Sequence, residues 1–131
     1  MPNFRLPADD LEYAVLRCLW DLRSASVREL HERVGAPEGL VYTTTAKVVD
    51  RLRDKGLIER HRQRGAFVYT PCIQRGVVER ARARQLLTRF LGPGPHAPVA
   101  ALVDAVDDID PRLLDALELA IQARKGTEHG T

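Results

Sequence analysis

The sequence predicts a mainly α-helical protein with one small β-hairpin, and three observations support this fold class. Apolar residues make up 44% of the chain but aromatic residues only 5%. The core must therefore come mostly from Leu, Val and Ala, which favours helices over a sandwich or a barrel. Several segments repeat apolar residues at helical spacing, and one stretch after Gly56 alternates like a strand pair. The 131 residues suffice for one compact domain with an added arm.

The first predicted helix follows a short extended arm, residues 1–8. Asp9 is a suitable N-cap, and Glu12 stands at the matching capping-box position. One face of the helix is apolar and consists of Leu11, Val15, Cys18, Leu19 and Leu22. We interpret Cys18 on this face as a small core residue rather than a reactive thiol.

The second predicted helix is short and runs from Val27 to Val34. Ser26 and Glu29 form a capping box at its start, and Gly35 is expected to end it in the left-handed conformation. Residues 36–39 then have the composition of a turn. His31 has no partner at metal-ligand spacing, so a surface or packing role is expected.

The third predicted helix occupies residues 40–56 and ends at Gly56. Its apolar arc consists of Val41, Thr45, Val48, Val49 and Leu52. Thr43 and Lys47 lie on the opposite arc, and Asp50 and Asp54 lie further along it. This segment is therefore an amphipathic helix with one buried and one solvent-facing side.

A basic hairpin is predicted after Gly56. Residues 57–62 and 66–70 have strand patterns, and Gly65 in the intervening turn can supply a positive φ. Pro71 is expected to end the second strand. The basic side chains of the tip and flank are Arg60, His61, Arg62 and Arg64.

Three more amphipathic helices are predicted, at about 73–91, at about 97–106 and after Asp110-Pro111. A core of about 50 residues would be marginal, so we expect pairing with a second copy of the chain. The alternative is a monomer in which these helices fold back on the preceding domain. The expected dimer contacts are Leu86, Leu87, Phe90, Leu102, Val103, Leu114, Leu117 and Ile121. The predicted domains are 1–72 and 73–131.

The charge of the chain is unevenly distributed although its net charge is only +2. Residues 40–65 contain seven Lys/Arg against three Asp/Glu, whereas residues 96–131 contain three against seven. The middle of the chain is therefore suited to a polyanion.

Helix, helix, helix, strand, strand is the order of a winged helix-turn-helix, whose third helix enters the major groove of DNA. The residues expected to meet base edges are Tyr42, Thr43, Thr44, Ala46 and Lys47. Arg51 is better placed for phosphate, and Arg60, Arg62 and Arg64 suit the neighbouring backbone or the minor groove. Asp50 would repel phosphate, and Lys47 three residues before it is expected to neutralise it.

Five motifs follow one another along the chain: Leu11–Trp20 (LEYAVLRCLW), Ser26–Leu30 (SVREL), Tyr42–Thr44 (YTT), Arg51–Ile58 (RLRDKGLI) and Phe67–Pro71 (FVYTP). In this order they resemble the penicillinase repressor (BlaI/MecI/CopY) family. The resemblance extends over about residues 6–125. It implies a homodimeric transcriptional repressor that binds a palindromic operator through its N-terminal winged helix and dimerises through its C-terminal helices. An antibiotic-resistance or stress-response operon is the implied target.

The regulatory features of the family match this sequence less well than its DNA-binding motifs do. It implies a sensor protease system as a further partner, with cleavage of an Asn-Phe bond in the dimerisation region. The corresponding position is near Leu102-Val103, where neither residue type matches. The copper branch of the family binds metal through paired C-terminal cysteines, which this chain lacks. No cofactor is therefore expected.

Three alternatives to this interpretation differ in class. An enzyme is not expected, because the histidines at positions 31, 61, 96 and 129 are scattered and no phosphate loop is visible. A winged-helix module could bind protein rather than DNA. A small ligand, or oxidation of Cys72, could replace proteolysis as the signal.

Cellular location follows from what the sequence lacks. No apolar run approaches the roughly 18 residues of a membrane span, and residues 1–7 lack the apolar core of a signal peptide. The two cysteines are too few for a disulfide framework. We therefore expect a cytoplasmic protein with reduced thiols and no membrane insertion.

Overall fold

A computed structural model of the protein describes residues 3–94 and 98–129. Its elements in chain order are α1 (Asp10–Leu22), α2 (Val27–Leu30), a π-helical turn (His31–Gly35), α3 (Tyr42–Asp54), β1 (Ile58–Gln63), β2 (Ala66–Pro71), α4 (Arg75–Leu91), α5 (Val99–Ile109) and α6 (Pro111–His129). The predicted fold class is confirmed, since the chain is mainly helical with one antiparallel hairpin. The predicted start of the fifth helix at about 97, together with Pro95 and His96, lies outside the described residues.

The chain forms two compact units, one up to Gln85 and one from Leu86 onward. The first unit includes the start of α4, because Val78 is fully buried in the same apolar cluster as α1 and α3. The sequence predicts a boundary at 72/73 between a DNA-binding domain and a dimerisation domain. Because this boundary is defined by function, it stays a prediction.

The core of the first unit joins α1, α2, α3, the hairpin and α4. Its buried apolar residues are Tyr13, Val15, Leu16, Leu19, Ala25, Leu30, Val48, Val49, Leu52, Leu57, Ile58, Tyr69 and Val78. Cys18 is half-buried and packs against this cluster, as a small core residue should. The prediction for Val41 was wrong, because its side chain is 66% exposed. Val41 is the extended N-cap of α3, so it lies off the helical stripe.

The start of α1 has half of the predicted capping box. The carboxylate of Asp9 accepts a hydrogen bond of 2.8 Å from the backbone N–H of Glu12. The carboxylate of Glu12 accepts from the backbone N–H of Ala8 at 3.2 Å instead of from Asp9. It also binds Lys55 at the far end of α3, and this buried ion pair draws Glu12 inward.

The second helix differs from its prediction. After Leu30 it widens into the π-helical turn, in which the backbone N–H of Ala36 donates to the carbonyl of His31 at 2.7 Å. Gly35 is buried within this turn and does not adopt the predicted left-handed conformation, which Gly39 adopts instead, with φ of 79°. A Cβ on Gly35 would overlap Oγ1 of Thr45, so close packing rather than backbone conformation calls for glycine here.

The hairpin forms where it is predicted, but its turn has two residues rather than the predicted three, residues 63–65, because Gln63 belongs to β1. Arg62 pairs with Phe67 and Gln63 with Ala66, so Arg64 and Gly65 connect the strands. Both have positive φ, 52° and 79°, as a type I′ turn requires. A short bridge from Ala25 to Tyr69 joins the hairpin to the segment between α1 and α2.

The second unit contains the end of α4 together with α5 and α6. None of its described residues is fully buried. The predicted start of the last helix is confirmed, because Asp110 precedes Pro111 and accepts a hydrogen bond of 3.0 Å from the backbone N–H of Arg112. The Arg112 side chain and backbone together hold the pKa of Asp110 below its ordinary value.

Candidate nucleic-acid interface

The solvent-facing start of α3 is the candidate recognition surface. Tyr42 is 48% exposed, and Thr43, Lys47 and Arg51 are also exposed. Thr44 and Ala46 are half-buried, so they present less surface. The expected ion pair between Lys47 and Asp50 does not form among the described residues. The Lys47 ammonium is therefore available to an external partner, while Asp50 stays an exposed carboxylate.

His31 positions the first turn of α3 from the preceding π-helical turn. Its Nδ1 shares a hydrogen bond of 2.8 Å with Oγ1 of Thr45. Its ring also meets the Tyr42 ring edge-on, with 5.7 Å between centroids and 73° between planes. The expected packing role of His31 is thus confirmed, and the contacts place it between the buried and exposed sides of α3. The buried Thr45 hydroxyl has its partner in this histidine.

The end of α3 is held by a Schellman motif and by the N-terminal arm. The backbone N–H of Leu57 donates to Leu52 and that of Gly56 donates to Arg53, with Gly56 at a φ of 78°. The N–H of Arg5 donates to the Lys55 carbonyl at 2.9 Å. The Lys55 ammonium lies 2.5 Å from the buried Glu12 carboxylate. Both ends of α3 are therefore tied to other segments of the first unit.

The wing presents two arginines on an aromatic platform. Strand alternation places Arg60 and Arg62 on the same face as Phe67, which is 42% exposed. The guanidinium carbon of Arg60 lies 4.2 Å from the centre of the Phe67 ring, and that of Arg62 lies 5.1 Å from it. Such cation–π contacts restrain long side chains without removing their charge. On the opposite face, His61 shares a hydrogen bond of 2.9 Å with Thr70.

Six cations of α3 and the wing lack carboxylate partners in the part of the chain that the structure describes. They are Lys47, Arg51, Arg53, Arg60, Arg62 and Arg64. Because an internal ion pair would compete with phosphate, these unpaired side chains suit a polyanion.

Sequence reasoning missed two contributors to this surface, Phe67 and Gly35. The sequence places Phe67 in a strand and in one of the five motifs but does not predict its contact with the arginines. Its pairing with Arg62 follows from the hairpin register once the two-residue turn is known. For Gly35 the sequence predicts only a helix end in the left-handed conformation. No local signal distinguishes a glycine needed for left-handed backbone from one needed for close packing against Thr45.

The thiol of Cys72 lies near the end of the wing. Its Sγ donates to the carbonyl of Gly56 at 3.2 Å. Burial raises the pKa of Cys72, the Glu59 carboxylate raises it further, and a hydrogen bond from its own backbone N–H lowers it. Burial likewise raises the pKa of Cys18. Both groups therefore favour the thiol over the reactive thiolate.

Two observations concern other kinds of site. The described residues contain no group of three or more His, Cys, Asp or Glu side chains arranged to hold a metal ion. Within the same residues, no helix combines the length and apolar character needed to span a bilayer.

Comparison with known proteins relates the chain to one family. The profile described as "Penicillinase repressor" matches residues 9–123. The chain is 33% identical over 113 residues to the transcriptional regulator BlaI of Mycobacterium tuberculosis, in strains CDC 1551 / Oshkosh and ATCC 25618 / H37Rv. The alignment covers 86% of this chain and 80% of that regulator.

Two solved structures of transcriptional regulators are also similar. PcaV from Streptomyces coelicolor, in complex with its natural ligand, is 26% identical and has a TM-score of 0.47, with 82% of this chain and 77% of that chain covered. A MarR family regulator from Silicibacter pomeroyi is 21% identical and has a TM-score of 0.46, with 90% and 71% covered.

Proposed function

The chain belongs to the penicillinase repressor family, and on this basis we propose that it is a repressor that binds a palindromic operator as a homodimer. It is a transcriptional regulator of the BlaI type, and regulators of this family bind DNA. A regulator acts by occupying DNA rather than by converting a substrate, so no enzymatic activity is proposed.

The observation that supports DNA binding best is the exposed start of α3 beside unpaired cations. In the proposed complex Tyr42, Thr43, Thr44, Ala46 and Lys47 face base edges in the major groove. Threonine and lysine supply hydrogen bonds there, and Arg51 contacts phosphate. The wing arginines Arg60, Arg62 and Arg64 contact the adjacent backbone or minor groove.

Dimerisation is proposed for the second unit because its apolar side chains have little to cover them. Leu86, Leu87, Phe90, Val103 and Ile121 are each more than a third exposed in the single chain. Leu102, Leu114 and Leu117 are half-buried. A second copy would remove this surface from water, at about 25 cal/mol per Å² of apolar area.

The symmetry of a homodimer explains why a palindromic operator is proposed. Two copies related by a two-fold axis present two equivalent α3 helices, which match two inverted half-sites. The half-sites should then be separated by about one helical turn, roughly 34 Å, or a multiple of it. We propose an antibiotic-resistance or stress-response operon as the target, following the family.

In the family, a sensor protease system leads to cleavage of the repressor. In this chain, helix α5 limits the access of a protease to the corresponding position. The position aligned with the family's cleavage site, Leu102-Val103, lies inside α5. A helical backbone must open locally before a protease can bind it as an extended strand. Since Leu102-Val103 also replaces the Asn-Phe pair at this position, proteolysis here is the weaker of the proposed signals.

A small ligand is the second candidate signal, and a cavity between α1 and α4 that Arg17 and Trp20 help to line favours it. Oxidation of Cys72 is disfavoured, because its thiol donates a hydrogen bond and its pKa is raised. We therefore propose a bound ligand, rather than oxidation of Cys72, as the signal.

The test of DNA binding is a shift assay on the promoter of the chain's own gene across a salt series. Wild type should bind with a steep salt slope, and Arg62→Ala/Arg64→Ala should flatten the slope by about 0.9 per lost phosphate contact. Arg80→Ala/Arg84→Ala is the matched control, since it removes the same charge from exposed positions of α4. Salt-insensitive binding, or equal slopes for both double variants, would contradict the proposed interface.

A further inference from the structure

A cavity of about 130 Å³ lies between α1 and the first turns of α4, within the first unit. It is lined by Tyr13, Arg17, Trp20, Arg75, Glu79 and Arg82. Its size is close to the roughly 150 Å³ of an engineered cavity that holds one benzene molecule. It is not part of the surface proposed to contact DNA, and nothing in the DNA-binding proposal uses it.

The lining of the cavity is basic. Three guanidinium groups line it against a single carboxylate, that of Glu79. Arg75 is paired with Glu79 at 2.7 Å and with Asp21 at 3.7 Å, and the Arg82 guanidinium lies 4.0 Å from a carboxylate oxygen of Asp10. Arg17, in contrast, is exposed and has no ion pair or hydrogen-bonded carboxylate among the described residues. The lining therefore holds at least one guanidinium that is open to an external anion.

Two aromatic rings form part of the wall. The guanidinium carbon of Arg82 lies 4.0 Å from the centre of the Tyr13 ring, and that of Arg75 lies 5.7 Å from the centre of the Trp20 ring. The indole N–H of Trp20 donates to the carbonyl of Ile73 at 3.0 Å, which fixes the plane of its ring. Two of the three guanidinium groups in the lining therefore lie over aromatic rings.

Tyr13 has an unsatisfied hydroxyl. The residue is 7% exposed, and its buried hydroxyl oxygen has no hydrogen-bond partner in the described part of the chain. Burial raises the pKa of Tyr13 and the Arg82 charge lowers it, so the group stays a protonated donor at neutral pH. A buried donor without a partner costs about 1–3 kcal/mol. A carboxylate oxygen that reached this hydroxyl would supply the missing acceptor.

We propose that this cavity binds a small carboxylate bearing a single aromatic ring. The volume admits one ring, the half-buried Trp20 ring forms part of the wall, and the guanidinium of Arg17 matches a carboxylate through paired hydrogen bonds. Inorganic phosphate would satisfy the charge but leave the aromatic wall unused. A neutral ring would fill the space but leave Arg17 without a counter-charge.

The ligand would act where α4 leaves the first unit. The cavity is formed by α1 and α4, and α4 continues past Gln85 to Leu91. A ligand that changes the packing of α4 on α1 would change the spacing of the two α3 helices in the dimer. This consequence for DNA rests on the proposed function, whereas binding of the carboxylate does not.

Trp20 gives the test a built-in reporter, because it is the only tryptophan of the chain and it lines the cavity. The full chain is titrated with benzoate, with cyclohexanecarboxylate, benzyl alcohol and phosphate as comparisons. Benzoate should produce a saturable change in tryptophan fluorescence and bind several-fold more tightly than each comparison. A non-saturating response, or equal binding of benzoate and phosphate, would overturn the proposal.

Two substitutions in the cavity lining and one control substitution test whether benzoate binds in the cavity. Arg17→Gln should weaken benzoate at least about tenfold, because a charge-assisted hydrogen-bonded pair is lost. Arg84→Gln is the matched control on exposed α4 surface away from the cavity, and it should bind as wild type does. Tyr13→Phe should weaken benzoate with the fold retained, as judged by circular dichroism. Unchanged affinity in Arg17→Gln would overturn the assignment of the site.

Operator affinity with and without benzoate is measured separately. A change in DNA affinity that Arg17→Gln abolishes supports the regulatory role. Benzoate binding without any such change keeps the site and rejects the regulatory link. Intact operator binding with no benzoate binding rejects the site and leaves the DNA-binding proposal standing.

Discussion

Thr45 on the buried face of α3 and His31 in the π-helical turn share a hydrogen bond of 2.8 Å across Gly35. A Cβ on Gly35 would overlap Oγ1 of Thr45 and lie 2.6 Å from Nδ1 of His31. The contact between the second and third helices therefore requires a glycine, which has no Cβ, at position 35. This close approach fixes the position of the first turn of α3, which carries residues proposed to contact base edges.

Gly35→Ala is expected to destabilise the protein by about 1–3 kcal/mol, because the added methyl group overpacks the His31–Thr45 pair. Operator affinity should fall with it, since the start of α3 must shift. Urea denaturation and a binding assay measure the two effects. Gly76→Ala is the control, since no described atom outside its own stretch of helix lies within 4 Å of its Cβ position and helix propensity favours alanine there. Equal stability of the two variants would contradict this role of Gly35.

Glu12→Gln is expected to lower the free energy of unfolding by about 3–5 kcal/mol. Glu12 is 2% exposed and its partner Lys55 14%, so the substitution leaves an ammonium largely buried without its counter-charge. Glu12→Gln/Lys55→Met should recover part of the loss, and a double-mutant cycle by denaturant unfolding measures the coupling. Glu79→Gln breaks the exposed pair with Arg75 and should change stability by less than about 1 kcal/mol. Similar losses for Glu12→Gln and Glu79→Gln would argue against a structural role for the buried pair.

Phe67→Leu is expected to weaken operator binding by about two- to fivefold, because exposed cation–π contacts contribute about 0.5–1 kcal/mol. Without the ring, Arg60 and Arg62 lose more rotamer freedom when they bind DNA. Fluorescence anisotropy at one fixed salt concentration measures the affinity. Phe67→Tyr keeps an aromatic face and should bind like wild type. Wild-type affinity in Phe67→Leu would mean that the platform does not serve binding.

Phe90→Glu is expected to shift the chain from dimer to monomer, because it puts a charge on a side chain proposed to lie in the dimer interface. Phe90 is 48% exposed in the single chain, so the monomer should stay folded. Sedimentation over a concentration series measures the dissociation constant. Thr88→Glu introduces the same charge at a neighbouring exposed position outside the proposed contacts. An unchanged dimer in Phe90→Glu would remove this residue from the interface.

Alkylation of Cys72 is expected to be slow at pH 7 and to accelerate as the pH rises above the ordinary thiol value of about 8.5, because its pKa is raised. Glu59→Gln removes a charge that raises this pKa, so it should speed the reaction at pH 8. Iodoacetamide labelling in a Cys18→Ser background isolates the group. If the labelling rate in the Cys18→Ser protein with Glu59 intact reached half its maximum below pH 8, Cys72 would again be a redox candidate.

The sequence by itself determined where most helices and strands begin and end, because those signals act over a few residues. Asp9, Ser26 and Asp110 cap the helices that follow them, and Gly65 allows the turn of the wing. The apolar periodicity also placed Val48, Val49 and Leu52 on the buried face of α3. Fold class and family follow from such patterns, since each is encoded in short-range spacing.

Only the tertiary structure decided which distant residues meet. The Glu12–Lys55 pair joins residues 43 apart, and His31 meets Thr45 across 14 residues. The cavity likewise joins Tyr13 and Arg17 to Arg82, far along the chain. Local patterns carry no information about such contacts, because packing and Coulomb interactions depend on distance in space rather than along the chain. Gly35 shows the difference most directly. Its place at the end of a helix was visible in the sequence, but its need to be glycine arises from a side chain on another helix.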